Sequence, residues 1–135
     1  MCLKIKAKFV AEKDIIVYKL GYISRKSKDM YISLYRGVWI SFNELYKDPL
    51  HDNPYIINEI SCIFGGYLHA YTNIEKANRI IIQECLDFNV KIFKAIIPKG
   101  SVGYYGKDED ICANKIIILN SKLDSYKELP DKYRL

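Results

Sequence analysis

Residues 72–88 read Thr-Asn-Ile-Glu-Lys-Ala-Asn-Arg-Ile-Ile-Ile-Gln-Glu-Cys-Leu-Asp-Phe, and this stretch decides the fold class. Thr72 and Glu75 stand at the T-x-x-E spacing of a capping box, in which each side chain satisfies the other residue's exposed backbone N–H. Beyond them Ile74, Ala77, Ile81, Cys85 and Phe88 recur at steps of three and four, the period of a single helical face. Lys76, Arg79, Gln83 and Asp87 fall on the other side. The spacing predicts one principal helix over about residues 73–88, with Asn89 ending it. No second long helical pattern exists, so a doubly wound α/β sheet lacks its crossover helices. The expectation is an α+β fold: one domain over residues 1–135, with a mainly antiparallel, curved sheet and one helix packed on it.

Outward from the helix the chain reads as strands. VKIFKAII (90–97) follows it, Pro98-Lys99-Gly100 turns the chain, and NKIIIL (114–119) is a last apolar run. Before it, IIVYKL (15–20) is β-branched and closed by Gly21. MYISLYR (30–36) alternates Met30, Ile32 and Leu34 with Tyr31, Ser33 and Tyr35; with VWISF beyond Gly37 it reads as a bulged or tightly turned strand pair. KDPLHDNPY (47–55) is a loop by its prolines, and ISCIF (60–64) fits either a short buried strand or the end of a helical turn. Residues 101–110 are a Gly/Tyr segment running into acidic KDED, and the tail from Asn120 is polar.

The 135 residues are 50% apolar and 27% charged, which excludes a disordered or fibrous chain. No apolar run reaches the ~18–20 residues of a membrane helix, and Met1–Lys8 alternates lysine with apolar residues instead of forming a signal peptide's apolar region. A cytoplasmic protein without membrane contact is expected. The net charge of +5 is uneven: residues 1–28 carry eight basic and two acidic side chains, the rest thirteen and fourteen. Such an N-terminal surplus attracts a phosphate-bearing partner; the plainer reading is a solvated, lysine-studded strand face. Lysine outnumbers arginine 17 to 4, against a base-reading DNA surface, where bidentate arginine is favoured. The cysteines at 2, 62, 85 and 112 form no C-x-x-C pair, and only His51 and His69 are available beside them. Neither a zinc site nor disulfides are expected.

Two stretches carry the candidate site. In Gly65-Gly66-Tyr67-Leu68-His69-Ala70-Tyr71-Thr72, His69 and Tyr71 share a face of a short strand, and Thr72 reaches a helix N-terminus, where backbone N–H groups favour an anion. A half-buried histidine and a plain cap would account for the same residues. In Pro98-Lys99-Gly100-Ser101-Val102-Gly103-Tyr104-Tyr105-Gly106, paired tyrosines lie between glycines close to Lys99, a loop able to lay a ring on a base and a cation on phosphate. The P-loop order is absent. A Cys–His nucleophile pair would need Cys62, Cys85 or Cys112 beside a histidine with an orienting acid, which spacing neither supports nor forbids.

The combination GGYLHAYTNIEKA (65–77), KAIIPKGSVGYYG (94–106) and ICANKIIIL (111–119), with the opening Met1-Cys2-Leu3 and Asp14–Lys19, resembles small proteins of phages and prophages. That resemblance implies a phage setting and no particular activity. A fainter one is to the ADP-ribosyltransferase fold. Tyr35-Arg36-Gly37 looks like its first-strand arginine motif, Tyr71-Thr72 like its second-strand Ser/Thr motif, and residues 96–119 like the strand pair carrying its glutamate. The chain departs from that pattern, because Asn114-Lys115 stands where a glutamate is expected and Glu109 lies upstream.

The resulting expectation is a phage-encoded, non-catalytic protein that sequesters a nucleotide-type signal, a cyclic nucleotide or an ADP-ribose-like molecule, and so counters host defence. It has no cofactor or metal and forms a homo-oligomer. Arg36, Arg79 and Lys99 meet phosphate, Tyr71, Tyr104 and Tyr105 meet the base, and His69 donates a hydrogen bond beside Thr72. The alternatives are an ADP-ribosyltransferase-like enzyme acting on NAD, and an inhibitor that binds a host defence protein through its N-terminal lysines and tyrosines.

Overall fold

The computed structural model of the chain describes residues 3–24, 26, 30–34, 39–47, 55–57, 62–65, 68–84 and 89–123. Among them are β1 (Leu3–Val10), β2 (Ile15–Ile23), β3 (Met30–Ser33), β4 (Trp39–Ser41), β5 (Leu45–Lys47), β6 (Tyr55–Ile57) and β7 (Cys62–Gly65). After β8 (Leu68–Tyr71) come the helix α1 (Ile74–Gln83), β9 (Lys91–Ile97), β10 (Val102–Gly106), β11 (Asp110–Ala113) and β12 (Lys115–Leu123). All the strand pairings are antiparallel, in the order β5-β12-β9-β2-β8-β11-β10-β1-β7-β6, with the β3–β4 pair branching from β2. The α+β expectation holds: a mostly antiparallel sheet with a single helix among the described residues.

Period-two alternation gives the sheet two unlike faces. Its inner face carries Val17, Tyr31, Ile40, Ala70, Phe93, Ala95, Ile97, Ile111, Ala113, Ile116 and Ile118, all buried together with Phe42. Phe9 and Tyr105 from the β1–β10 side pack on the same cluster as Tyr46 from the opposite edge, so the sheet curls around its core. Tyr31, Phe42 and Phe93 meet at its centre, Phe93 lying 5.3 Å from each of the other two rings. On the outer face α1 covers Leu20, Tyr71, Val90 and Ile92 with Ile74 and Ala77. This explains β9, which is buried on both sides at Ile92–Phe93 and exposes Lys94 farther on.

The helix begins one residue later than the capping-box reading. Asn73 is the N-cap, extended at φ −140° and ψ 156°, and its Oδ1 accepts from the Lys76 N–H at 2.8 Å. Thr72 is engaged elsewhere, and asparagine is the stronger N-cap of the two. The helix closes at Glu84; the rest of the expected span, 85–88, lies outside the described residues, as do most of the 47–55 loop and Arg36. ISCIF contributes a strand, β7, and the Gly/Tyr segment is also strand, β10.

One edge of β2 is shared. β9 pairs with β2 from Ile15 to Gly21 on one side; on the other, β8 meets it at Tyr18 and β3 at Gly21–Ile23. Side chains hold the fork where β8 and β3 part. Lys19 Nζ donates to the His69 carbonyl at 2.6 Å, and the Tyr31 hydroxyl donates to the Leu20 carbonyl at 2.6 Å. Gly21 permits the close approach of β3, since a Cβ there would collide with the Tyr31 ring and the Ile32 carbonyl.

Candidate functional site

Register brings together residues distant in sequence. Lys8, Tyr104, Cys112 and His69 are directly opposed across β1, β10, β11 and β8 and therefore share the outer face. A second row runs Asp110–Tyr71–Tyr18–Lys94 across β11, β8, β2 and β9. Lys8 Nζ stands 5.9 Å from the centre of the Tyr104 ring, within reach of a cation–π attraction. Lys4 and Lys6 are exposed along the same strand, and the Lys107 N–H is tied to the Lys4 carbonyl. The N-terminal surplus of charge thus sets one cation, Lys8, against an aromatic ring, while Leu3 and Ile5 of the same strand pack on the Tyr104 side.

At one end of the rows, Glu109 joins the β10–β11 turn to the helix start. Its carbonyl accepts from both the backbone N–H and the Oγ1 of Thr72, at 2.9 and 3.0 Å. Its carboxylate meets Arg79 Nη2 at 2.8 Å, with both side chains about half exposed. Glu109 adopts φ 62°, a left-handed conformation uncommon for a side-chain-bearing residue. Glu109 therefore lies beside Thr72 despite its distance along the chain. Glu109 engages both donors of Thr72, and in the first helical turn Asn73 engages the Lys76 N–H.

The expected site residues divide accordingly. His69, Tyr71 and Tyr104 share the outer face, with Thr72 and Arg79 at its edge. Tyr105 points to the opposite face and stacks on Phe9 with ring centres 4.7 Å apart, as alternation requires of neighbouring strand residues. Lys99 lies at the other end of β10. Its N–H donates to Asp14 Oδ1 at 2.8 Å, beside the Gly100 N–H to Ala11 carbonyl bond. Four residue steps of β10, about 13 Å, separate the two ends of that strand. Tyr105 does not share a face with Tyr104.

Burial sets the chemistry of the rest. Both ring nitrogens of His69 are shielded from solvent. Burial pushes the Tyr71 phenol up to about 12, with the Glu84 and Asp110 charges adding to it. Burial likewise pushes the Cys112 thiol up to about 12, against a lowering backbone hydrogen bond from Tyr104. Cys112 does stand opposite His69, but a thiol so raised stays protonated at neutral pH and makes a poor nucleophile. Asp110 was hidden in the acidic KDED run. It is a nearly buried carboxyl whose pKa burial raises, partly offset by the backbone amides of Asp110 and Asp108. Its one sequence signal is the alternation Asp110, Cys112 leading into the apolar strand.

No His/Cys/Asp/Glu group fit to hold a metal occurs among the described residues, and no helix there is long and apolar enough to cross a membrane. No family model, curated protein or solved structure matches the chain.

Proposed function

We propose that the protein binds a small anionic ligand of nucleotide type without transforming it, in an oligomer encoded by a phage to blunt a host signal. One observation carries the ligand class: the Lys8 ammonium over the Tyr104 ring on the outer face. A ring able to stack on a base beside a cation able to meet phosphate is the pairing such ligands need. Arg79 adds a guanidinium held only by a half-exposed ion pair, and such pairs contribute about 0–1 kcal/mol, so a phosphate could draw it away. The phage setting rests on the sequence resemblance.

The test is native mass spectrometry of protein purified from defence-active cells, followed by heating and mass analysis of what is released. An intact nucleotide supports the reading, and Tyr104→Ala should then weaken retention about tenfold, the scale of one lost stacking contact. An empty protein that shows no thermal shift with a nucleotide panel overturns it.

A second reading, an ADP-ribosyltransferase-like enzyme acting on NAD, is favoured by the Glu109 carbonyl accepting from Thr72, which brings residue 109 beside the Ser/Thr position while its carboxylate pairs with Arg79. Turnover separates the two: a binder returns its ligand intact after denaturation, and an enzyme does not.

A further inference from the structure

The outer face of the sheet is closed by α1 over Leu20, Tyr71 and Ile92, but its β12–β5 side presents a second apolar surface. Ile16 opposes Ile96, Ile96 opposes Ile117, and Ile117 opposes Leu45. These four side chains form one unbroken row across β2, β9, β12 and β5, about 14 Å long at the spacing of strands. Ile16 and Leu45, at its ends, are 53% and 50% exposed. Cations flank the row on the same face. Lys94, two residues before Ile96, lies on one side, while Lys115 and Lys47 lie directly opposite each other on the other. Like charges directly opposed across an antiparallel pair are destabilising. No carboxylate occupies an outward position in β2, β9, β12 or β5. Asp14, just before β2, already accepts from the Lys99 N–H.

We propose that this surface docks an acidic amphipathic helix of a partner protein. The partner's apolar stripe covers the Ile16–Ile96–Ile117–Leu45 row beside α1, and its carboxylates sit between Lys47 and Lys115 and against Lys94. Two features select this occupant. A second copy of the same face would bring three lysines against three lysines. An anionic membrane favours protruding apolar side chains, whereas Ile96 and Ile117, at the centre of the row, are only partly exposed. The surface is separate from the Lys8–Tyr104 patch, so its fate is independent of the nucleotide reading.

The probe is a fluorescently labelled synthetic helix with leucines at i, i+3, i+4 and i+7 and glutamates flanking them, titrated with the full chain and read by anisotropy. Binding is expected, with a dissociation constant that rises with salt. Methyl shifts in a carbon–proton spectrum are expected at Ile16, Ile96 and Ile117. Lys47→Glu with Lys115→Glu should weaken binding at least tenfold, and Leu45→Ser severalfold, while circular dichroism and the urea midpoint confirm that each variant folds. The same helix with lysine in place of glutamate should not bind. Absence of binding, equal binding by the charge-reversed variant, or shifts confined to other residues overturns the proposal. So does a concentration-dependent dimer abolished by Leu45→Ser, which makes the row a self-interface, or capture by phosphatidylserine vesicles that Leu45→Ser abolishes.

Discussion

Tyr31→Phe tests the fork in β2 with the least collateral change. The ring keeps its packing against Phe42 and Phe93, and only the hydroxyl that donates to the Leu20 carbonyl at 2.6 Å is lost. Tyr31 is fully buried and Leu20 nearly so, so the stranded carbonyl has poor access to water. A buried acceptor left without its partner costs about 1–3 kcal/mol, and the short bond argues for the upper half of that range. The change also has a pH signature. Burial drives the Tyr31 phenol far above its ordinary value of 10.0, so above pH 10 the folded state holds a proton that the unfolded chain releases. The stability linked to this phenol is complete below pH 10 and is lost as pH rises toward the folded value. At pH 10.5 the loss is about 0.8 kcal/mol for a phenol that stays protonated in the fold. Tyr71 behaves alike, up to about 12, and is present in both proteins. The deficit of Tyr31→Phe should therefore shrink by about 0.8 kcal/mol between pH 9 and 10.5. Urea denaturation at the two pH values, with m unchanged, measures both effects. A variant within about 0.5 kcal/mol of wild type at pH 7, or a deficit that stays constant to pH 10.5, would refute the reasoning.

Three further predictions concern the helix start, the fork and the acidic turn. Asn73→Ala should lower stability by about 1 kcal/mol in thermal or urea unfolding and Thr72→Val by less, since the Thr72 N–H keeps its bond to the Glu109 carbonyl; the reverse order would restore the capping-box assignment. Gly21→Ala should cost about 1–3 kcal/mol, because the new methyl meets the Tyr31 ring and a backbone carbonyl; a neutral result in urea denaturation would show that β3 does not approach β2 so closely. Asp110→Asn keeps an acceptor for the Asp108 N–H and removes a buried charge. Since burial raises the Asp110 pKa, the stability linked to that carboxyl is full below its unfolded value near 3.8 and is lost as pH rises. The variant should thus gain on wild type from pH 4 upward, and a constant difference across unfolding curves at pH 4, 5.5 and 7 would contradict this.

The elements legible in the sequence are those whose burial leaves a period. β2, β9 and β12 read as apolar runs because one or both faces are covered, and β3 with β4 reads as a pair because Met30–Leu34 alternates. β5 and β6, at three residues each, are too short to show any period, and a neighbouring strand defines them. β11 was masked by charge: its first residue closes the acidic run, although all four of its residues are buried. The helix start turned on two adjacent cap-forming residues, Thr72 and Asn73. What decided between them was the carbonyl of Glu109, brought in from 37 positions away, and nothing local to either residue carries that information.

The same reasoning explains why the candidate site was legible only in part. That His69 and Tyr71 share a face follows from local alternation, and once 102–106 is a strand the same rule separates Tyr104 from Tyr105. Which strand lies beside which is another matter. Lys8 reaches Tyr104 only because a register shift between Ile5 and Ala7 re-phases β1 against β10; without that extra residue, Lys8 would share a face with different neighbours. Lys47 opposes Lys115 only because β5 closes the far edge of the sheet on β12. Both juxtapositions combine a cation with a neighbour that favours an anionic partner, and both arise from long-range pairing. Composition announced a surplus of lysine near the N-terminus, but topology also gathers Lys47, Lys94 and Lys115 from the nearly neutral remainder beside an apolar row on β12–β5. The two proposed surfaces differ in chemistry, and a charge variant at one should leave binding at the other unchanged.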